Sequence, residues 1–276
     1  MQSLVGSPFL ASPTVIVFGE TGSGKSSLVN MLADETVAKI SSDARGCTFE
    51  STAYHIRVSN ADMRIYDTAG LGEADQGTVS ATLAIANLYK LIRSLDSGIN
   101  LLVYVIRGNR LKEMTTKNYQ MFYDIFCKKK VPIVLVVTGL EGEDDMDQWW
   151  GRNEKEFAKY GMKFAGQACV TKTKGKSRDG VHLYQQEYDQ SKSTVEEMIA
   201  RTCSPIPWTM ERNAWFVHVV QSIYNKFSKW LPFEPVALSK SLFSALRQIA
   251  GMGAEEAKAV ANQVEKQIVT AERNGR

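Results

Sequence analysis

Eight consecutive residues restrict this 276-residue chain more than any other stretch: Gly19-Glu20-Thr21-Gly22-Ser23-Gly24-Lys25-Ser26, a full match to GxxxxGK[ST]. They follow Thr14-Val15-Ile16-Val17-Phe18, a short β-branched run, and precede Ser27–Ala33, which has helical composition. Glycines let a backbone wrap an anion with its N–H groups pointing inward, and the following helix turns its N-terminus to the same anion. The pattern implies a phosphate cradle of Gly19, Glu20, Thr21, Gly22, Ser23, Gly24, Lys25, Ser26 and Ser27. Within it Lys25 reaches the β- and γ-phosphates, and the Ser26 hydroxyl suits Mg2+.

Beyond the loop, apolar runs at Met63–Tyr66, Leu101–Ile106, Ile133–Val137 and Ala165–Val170 alternate with helix-length segments. Those segments are Val79–Leu95, Thr115–Lys128, Met146–Tyr160 and Asp189–Arg201. Runs of four to seven apolar residues between helices read as βαβ units around a buried parallel sheet. Thr52–Ser59 differs, because Tyr54, Ile56 and Val58 alternate with polar residues and Ser59-Asn60-Ala61-Asp62 is a tight-turn sequence. It predicts a hairpin that places one antiparallel strand at the sheet edge.

Asp67-Thr68-Ala69-Gly70 follows the Met63–Tyr66 run, so the carboxylate leaves the strand at its carboxyl end, where open α/β sheets bind ligands. Asp67 is placed to hold Mg2+ through water, and the Gly70 N–H to reach a γ-phosphate. The order of the two motifs, with an antiparallel strand between them, resembles the translation-factor-related (TRAFAC) class of GTPase domains. The likeness is nearer to the septin and immunity-associated branch and to uncharacterised fungal G-domain proteins. It is carried by Phe18–Leu28, Gly46-Cys47-Thr48 and Asp67–Leu71, and covers about residues 14–201.

The resemblance implies a three-layer α/β P-loop NTPase: a Ras-like G domain with a mostly parallel six-stranded sheet and a C-terminal helical extension. The expected division is an N-terminal lead over 1–13, a G domain over 14–203 and the extension over 204–276. The resemblance also implies GTP as ligand, Mg2+ as cofactor and hydrolysis to GDP and phosphate. The expected metal set is Ser26, Thr48 and Asp67, with Thr48 as the switch threonine and Thr52 as its fallback.

The base-specificity motif departs from that pattern. Relatives carry N/T-K-x-D after the fifth strand, whereas this chain has Thr138-Gly139-Leu140-Glu141 after Ile133–Val137. The lysine is a glycine and the aspartate is one methylene longer. A carboxylate there still accepts the guanine N1 and N2 protons, which adenine lacks, so Thr138 and Glu141 are expected at the base. Thr171 and Lys172, after the sixth run, are expected to contact the guanine O6, although Lys172–Arg178 also reads as a solvated basic loop.

Position 71 is leucine, where many GTPases place the glutamine that orients the attacking water. Leucine cannot hydrogen-bond to water, so intrinsic hydrolysis should be slow. Arg45 and Glu73 are the nearest alternatives, and no catalytic residue is assigned. Three readings stand: a slow GTPase acting as a switch or assembly module, a GTP-holding scaffold without turnover, and an ATPase permitted by the altered base motif.

Composition narrows the partners. A net charge of +3 is too small for a dense nucleic-acid-binding face, so no nucleic acid is expected. Cys47, Cys127, Cys169 and Cys203 form no CxxC pair, and His55, His182 and His218 lie at no metal spacing. The start of the chain lacks a signal-peptide pattern and no 18-residue apolar run occurs, which leads us to expect a soluble, cytoplasmic protein. Trp149-Trp150 reads as packing at a helix start. Arg107–Lys112 reads as a solvated basic loop, although relatives dimerise through neighbouring surfaces and a homodimer through the G domain follows from the resemblance.

Two prolines in Cys203-Ser204-Pro205-Ile206-Pro207 stop the helix before them. Residues 204–276 hold 9 basic and 6 acidic side chains and hence the whole positive surplus. Two amphipathic helices are expected there, one through Phe216, Val220, Ile223, Tyr224, Phe227 and Trp230, the other through Ala257, Val260, Ala261, Val264 and Ile268. The expected partner of the first stripe is the G domain or a dimer interface, with a membrane surface as the alternative.

Overall fold

The alternation of side chains along one strand sets the layering. In the computed structural model, which describes residues 12–38, 51–68, 87–108, 113–226, 235–248 and 251–274, β1 (Thr14–Phe18) is buried throughout. Val15 and Val17 join one apolar cluster, and Ile16 and Phe18 join another. Successive strand residues point to opposite faces, so a run without an exposed position needs a layer on each side.

β1 lies inside a six-stranded sheet formed with β2 (Ser51–Val58), β3 (Ala61–Thr68), β4 (Leu101–Arg107), β5 (Ile133–Thr138) and β6 (Gly166–Cys169), in the order β2-β3-β1-β4-β5-β6. All neighbours are parallel except β2 and β3, which form the expected hairpin at one edge. Its turn is tighter than the sequence suggests. Val58 pairs directly with Ala61, leaving only Ser59 and Asn60 in the turn, with Ser59 at φ 52°.

One face carries α1 (Lys25–Ala33) and α5 (Gln185–Thr202), which starts four residues before the predicted helix. The other carries α2 (residues 87–94), α3 (Glu113–Tyr119) and α4 (Asp147–Lys159). Trp149 is buried near the start of α4, as its packing assignment required. The stretch expected as one α-helix over 115–128 changes pitch, because Gln120–Phe126 is π-helical. Within it Phe122 stacks on Phe18 and Phe126 lies against Trp215. Of the helix expected over Val79–Leu95, only the part from residue 87 lies among the described residues, as do Arg107 and Gly108 of the 107–112 loop.

Beyond α5 the chain forms three described helices rather than two: α6 (Arg212–Lys226), α7 (Pro235–Gln248) and α8 (Ala254–Asn274). The sequence reading missed α7, since Ser239, Ser241 and Ser244 dilute its apolar stripe. Leu242 and Leu246, four residues apart, are nonetheless fully buried. All three helices contribute to the cluster that covers the α2–α4 face of the sheet. Trp215 on α6 is buried, and its Nε1 donates to the Phe126 carbonyl at 2.7 Å. Asn100 ties the entry segment to the sheet. Its Oδ1 accepts from Thr14 N at 2.8 Å and its Nδ2 donates to Ser204 O at 2.8 Å, while Ile99 and Trp208 form an isolated bridge. Phe227 and Trp230 of the expected first stripe lie outside the described residues. Among the described residues no helix is long and apolar enough to cross a membrane.

Trp215→Ala should destabilise the whole protein by about 3–5 kcal/mol, the usual cost of emptying a buried aromatic site. Urea unfolding checks this: a single transition moved to lower urea is expected, and a loss confined to a separate early transition would mean that the extension unfolds independently.

Candidate functional site

The carboxyl ends of β1, β3, β5 and β6 gather the residues singled out by the sequence. At Gly19 the chain leaves β1 with φ +148°, and a Cβ there would stand 2.0 Å from the Val105 carbonyl oxygen on β4. Only glycine passes at that distance. The loop returns at Gly24, the left-handed N-cap of α1, which has no side-chain cap. The N-terminus of α1 therefore opens onto the loop as an anion-binding end. Thr21 and Gly22 are exposed, and Glu20, Gly24, Ser26 and Ser27 half-buried.

Lys25 is buried, and its Nζ donates to the Gly19 carbonyl at 2.8 Å and the Glu20 carbonyl at 2.9 Å. The ammonium thus lies over its own loop, where a phosphate chain would lie. Ser26 Oγ donates to Asp67 Oδ2 at 2.7 Å. Asp67 reaches the site because β3 runs parallel to β1 with Asp67 opposite Val17. Its other oxygen, Oδ1, is buried and without a hydrogen-bond partner among the described residues, as is Ser23 Oγ. Burial raises the Asp67 carboxyl above its ordinary value, against the lowering effects of the Ser26 hydrogen bond and the Lys25 charge. A hydroxyl beside a buried carboxylate oxygen that lacks a partner is a hard oxygen donor set, and it fits Mg2+. Thr48, Gly70, Leu71, Arg45 and Glu73 lie outside the described residues.

Thr138, Glu141, Thr171 and Lys172 tie the phosphate loop to the other end of the site. Thr138, fully buried at the end of β5, donates through Oγ1 to the Ser23 carbonyl, so this hydroxyl supports the loop. Glu141 follows three residues later, and its Oε1 accepts from Thr171 Oγ1 at 3.1 Å. Thr171 is itself anchored, since its N–H donates to Ser191 Oγ of α5 at 3.1 Å. Lys172 places its N–H 3.5 Å from Glu141 Oε1 and its Nζ 3.4 Å from the Gly22 carbonyl. The basic loop read over Lys172–Arg178 ends in a two-residue hairpin, with β7 (Ser177–Arg178) paired to β8 (Val181–His182).

Two further residues lie at the site that the sequence reading placed elsewhere, Thr115 in a helix and Arg107 in a solvated basic loop. Thr115 on α3 donates to Glu20 Oε1 at 3.2 Å. Arg107, the last residue of β4, pairs in register with Thr138 and packs its side chain against Gly139. Its position at the same strand edge was the available signal. His55, His182 and His218 join no metal-binding group, for no cluster of three or more His, Cys, Asp or Glu side chains occurs among the described residues.

Known proteins resemble this chain in sequence over its first half and in fold. Residues 14–139 match the family described as 50S ribosome-binding GTPase. GTPase Der of Campylobacter jejuni is 27% identical over 162 residues, covering 59% of this chain and 32% of that protein. Der of Campylobacter curvus is 27% identical over 161 residues, or 58% and 32%. The chain thus spans about a third of the length of these curated relatives. An Aquifex aeolicus Era variant bound to GDP·AlF4− superposes with a TM-score of 0.52 at 12% identity, covering 95% of this chain and 90% of that one. Era in complex with MgGDPNP and a 16S ribosomal RNA fragment gives 0.52 at 14% identity, covering 76% and 66%. At these identities the structural likeness bears on the fold, which is the three-layer, mostly parallel α/β arrangement expected.

The raised Asp67 carboxyl fixes the sign of a pH effect. The native state binds this proton more tightly than the unfolded chain, so Asp67 contributes stability below the ordinary carboxylate value of 3.8 and loses it as pH rises through the higher native value. Asp67→Asn keeps an acceptor for Ser26 and removes the buried charge. The ligand-free variant should therefore melt above the wild type at pH 7, with the gap closing as pH falls towards 3.8. Thermal melts across that range test it; a lower Tm at pH 7 would contradict the assignment.

Proposed function

We propose that the chain carries a P-loop GTPase domain of the TRAFAC type, a reading supported by the family match over residues 14–139, and that the protein binds GTP with Mg2+. It hydrolyses GTP slowly to GDP and phosphate and acts in the cytoplasm as a switch or assembly module. The observation that carries the reading is the Glu141 carboxylate, held by Thr171 at the same strand edge as the Gly19–Ser26 loop. A loop for phosphates and a positioned carboxylate for N–H donors suit the two ends of a guanine nucleotide. Placement in the septin and immunity-associated branch rests on the quoted motifs alone. The functional unit is the G domain of 14–203 with 204–276 packed on it.

Each residue has a definable part. The loop N–H groups and the α1 N-terminus surround the phosphates, while Lys25 exchanges its carbonyl partners for β- and γ-phosphate oxygens. Ser26 and Asp67, the latter through water, would hold Mg2+, with Thr48 as third contributor; the bound ion supplies charge neutralisation on the phosphate oxygens. The Gly70 N–H would reach the γ-phosphate, as the motif implies. Glu141 accepts from the guanine N1 and N2 donors, and the backbone at Thr171 and Lys172 lies at O6. Water attacks the γ-phosphorus, the bond to the β–γ bridging oxygen breaks, and GDP leaves with that electron pair. With Leu71 unable to orient the water, turnover is slow until another group or a second subunit, docked through the G domain, completes the site.

Lys25→Ala should abolish tight binding of a fluescent guanine nucleotide while leaving the circular dichroism spectrum intact. Glu141→Ala removes charge-assisted hydrogen bonds worth about 1.5–3 kcal/mol each, so GTP should bind at least about tenfold more weakly. ATP competing as well as GTP for the wild type would replace this reading with an ATPase.

Turnover is checked separately, by phosphate release as a function of protein concentration. The expected result is a slow basal rate that rises with concentration as subunits pair. Fast hydrolysis by a verified monomer would refute the role given to Leu71, and binding without any release of phosphate would favour the scaffold.

A further inference from the structure

A loop shaped to wrap an anion contains an acid. Glu20 stands second in the Gly19–Ser27 stretch, and no other acidic residue occurs in it. The Glu20 backbone carbonyl accepts from Lys25 Nζ at 2.9 Å, so the ammonium that a phosphate needs lies beside residue 20. A carboxylate binds an ammonium more strongly than a carbonyl does, because hydrogen bonds between opposite charges are the stronger ones. A pair between the Glu20 side chain and Lys25 would put the protein's own carboxylate in the place of a phosphate oxygen.

The fold gives that carboxylate another partner. Glu20 Oε1 accepts from Thr115 Oγ1 on α3 at 3.2 Å. Thr115 is buried, and its own carbonyl accepts from the Tyr104 hydroxyl on β4 at 2.7 Å. Tyr104 is fully buried and stacks on Phe18, with ring centroids 4.7 Å apart and planes 3° apart. Phe18 is the residue before Gly19. Thr115 and the loop are thus held by two neighbouring strands, β4 and β1, and cannot separate without moving close-packed rings. Burial pushes the Tyr104 hydroxyl well above its ordinary value, and the nearby Glu20 charge adds to that rise.

We propose that Thr115 is a positioning residue whose hydroxyl latches the Glu20 carboxylate onto α3, rather than on Lys25, and so keeps the phosphate loop open to a nucleotide. The proposal rests on the phosphate end of the function proposed above and makes no use of the base. Released from Thr115, the carboxylate would pair with Lys25 and repel phosphate oxygens. The γ-phosphate brings the extra negative charge of GTP, so repulsion falls harder on GTP than on GDP. The latch therefore favours the triphosphate.

The test measures equilibrium binding of fluorescent GTP and GDP to the full chain with Mg2+ present. Thr115→Val keeps the side-chain shape and the carbonyl used by Tyr104 but removes the hydroxyl. It should weaken GTP about tenfold and GDP about threefold. Thr115→Ser keeps a hydroxyl and should stay within about twofold of the wild type. Glu20→Gln removes the charge and should bind GTP at least as tightly as the wild type. In the Glu20→Gln background, Thr115→Val should cost less than about twofold, since no charge remains to release. Each variant should melt with the ligand-free wild type. Unchanged affinities in Thr115→Val would overturn the latch, as would an equal loss in the Glu20→Gln background, which would make Thr115 a structural support only. A wild type that prefers ATP would overturn the base reading alone, and the same comparison on ATP and ADP would then decide the latch.

Discussion

A glycine with no room for a methyl group sits where β1 leaves the sheet. Gly19 passes so close to the Val105 carbonyl that the strand, the loop and α1 must follow one path. The central strand is buried on both faces, so it cannot shift to relieve a clash there without disturbing both apolar clusters. The positions of Lys25, Ser26 and Ser23 descend from that constraint. Thr138 then carries it across the sheet, because its hydroxyl holds the Ser23 carbonyl from the end of β5.

The site keeps charge where burial disfavours it. Lys25 is buried with its ammonium on two carbonyls, and Asp67 is half-buried with one oxygen bonded to Ser26 and the other, itself buried, without a partner among the described residues. Such an arrangement costs stability in the free protein and gains it when opposite charge arrives. A phosphate chain with a divalent cation is a ligand of the right kind, since its anionic oxygens suit Lys25 and its cation suits Asp67. Cost in the free fold and affinity for the ligand thus come from the same buried groups.

The C-terminal helices complete the layer over α2–α4. Trp215 lies against Phe126, whose neighbour Phe122 stacks on Phe18 at the end of β1. A continuous line of rings therefore joins the extension to the strand that feeds the phosphate loop. The apolar face of α6 that raised the question of a membrane is turned into this cluster: Trp215, Phe216, Val219, Val220 and Ile223 are all buried there. The β-branched runs, the hairpin and the glycine pattern are statements about neighbours along the chain, and they were readable for that reason. α7 was not, because its serines weaken a stripe that only contact with α8 makes apolar enough. The change to π-helical pitch at Gln120–Phe126 was equally hidden, as no local residue pattern separates it from an α-helix.

What the chain alone determined is the chemistry available: a loop that wraps phosphate, a carboxylate at the end of β3, another after β5, and a leucine where a water-orienting side chain is usual. These follow from residue type and short spacing. Folding decided which of these groups meet. Thr138 reaches Ser23 across 115 residues, and Lys172 reaches Gly22 across 150. Arg107 lies against Gly139 only because β4 brings it into register with the neighbouring Thr138. Such contacts depend on the order and register of strands, which are set by burying both faces of the sheet at once and leave no mark in the spacing of the residues concerned.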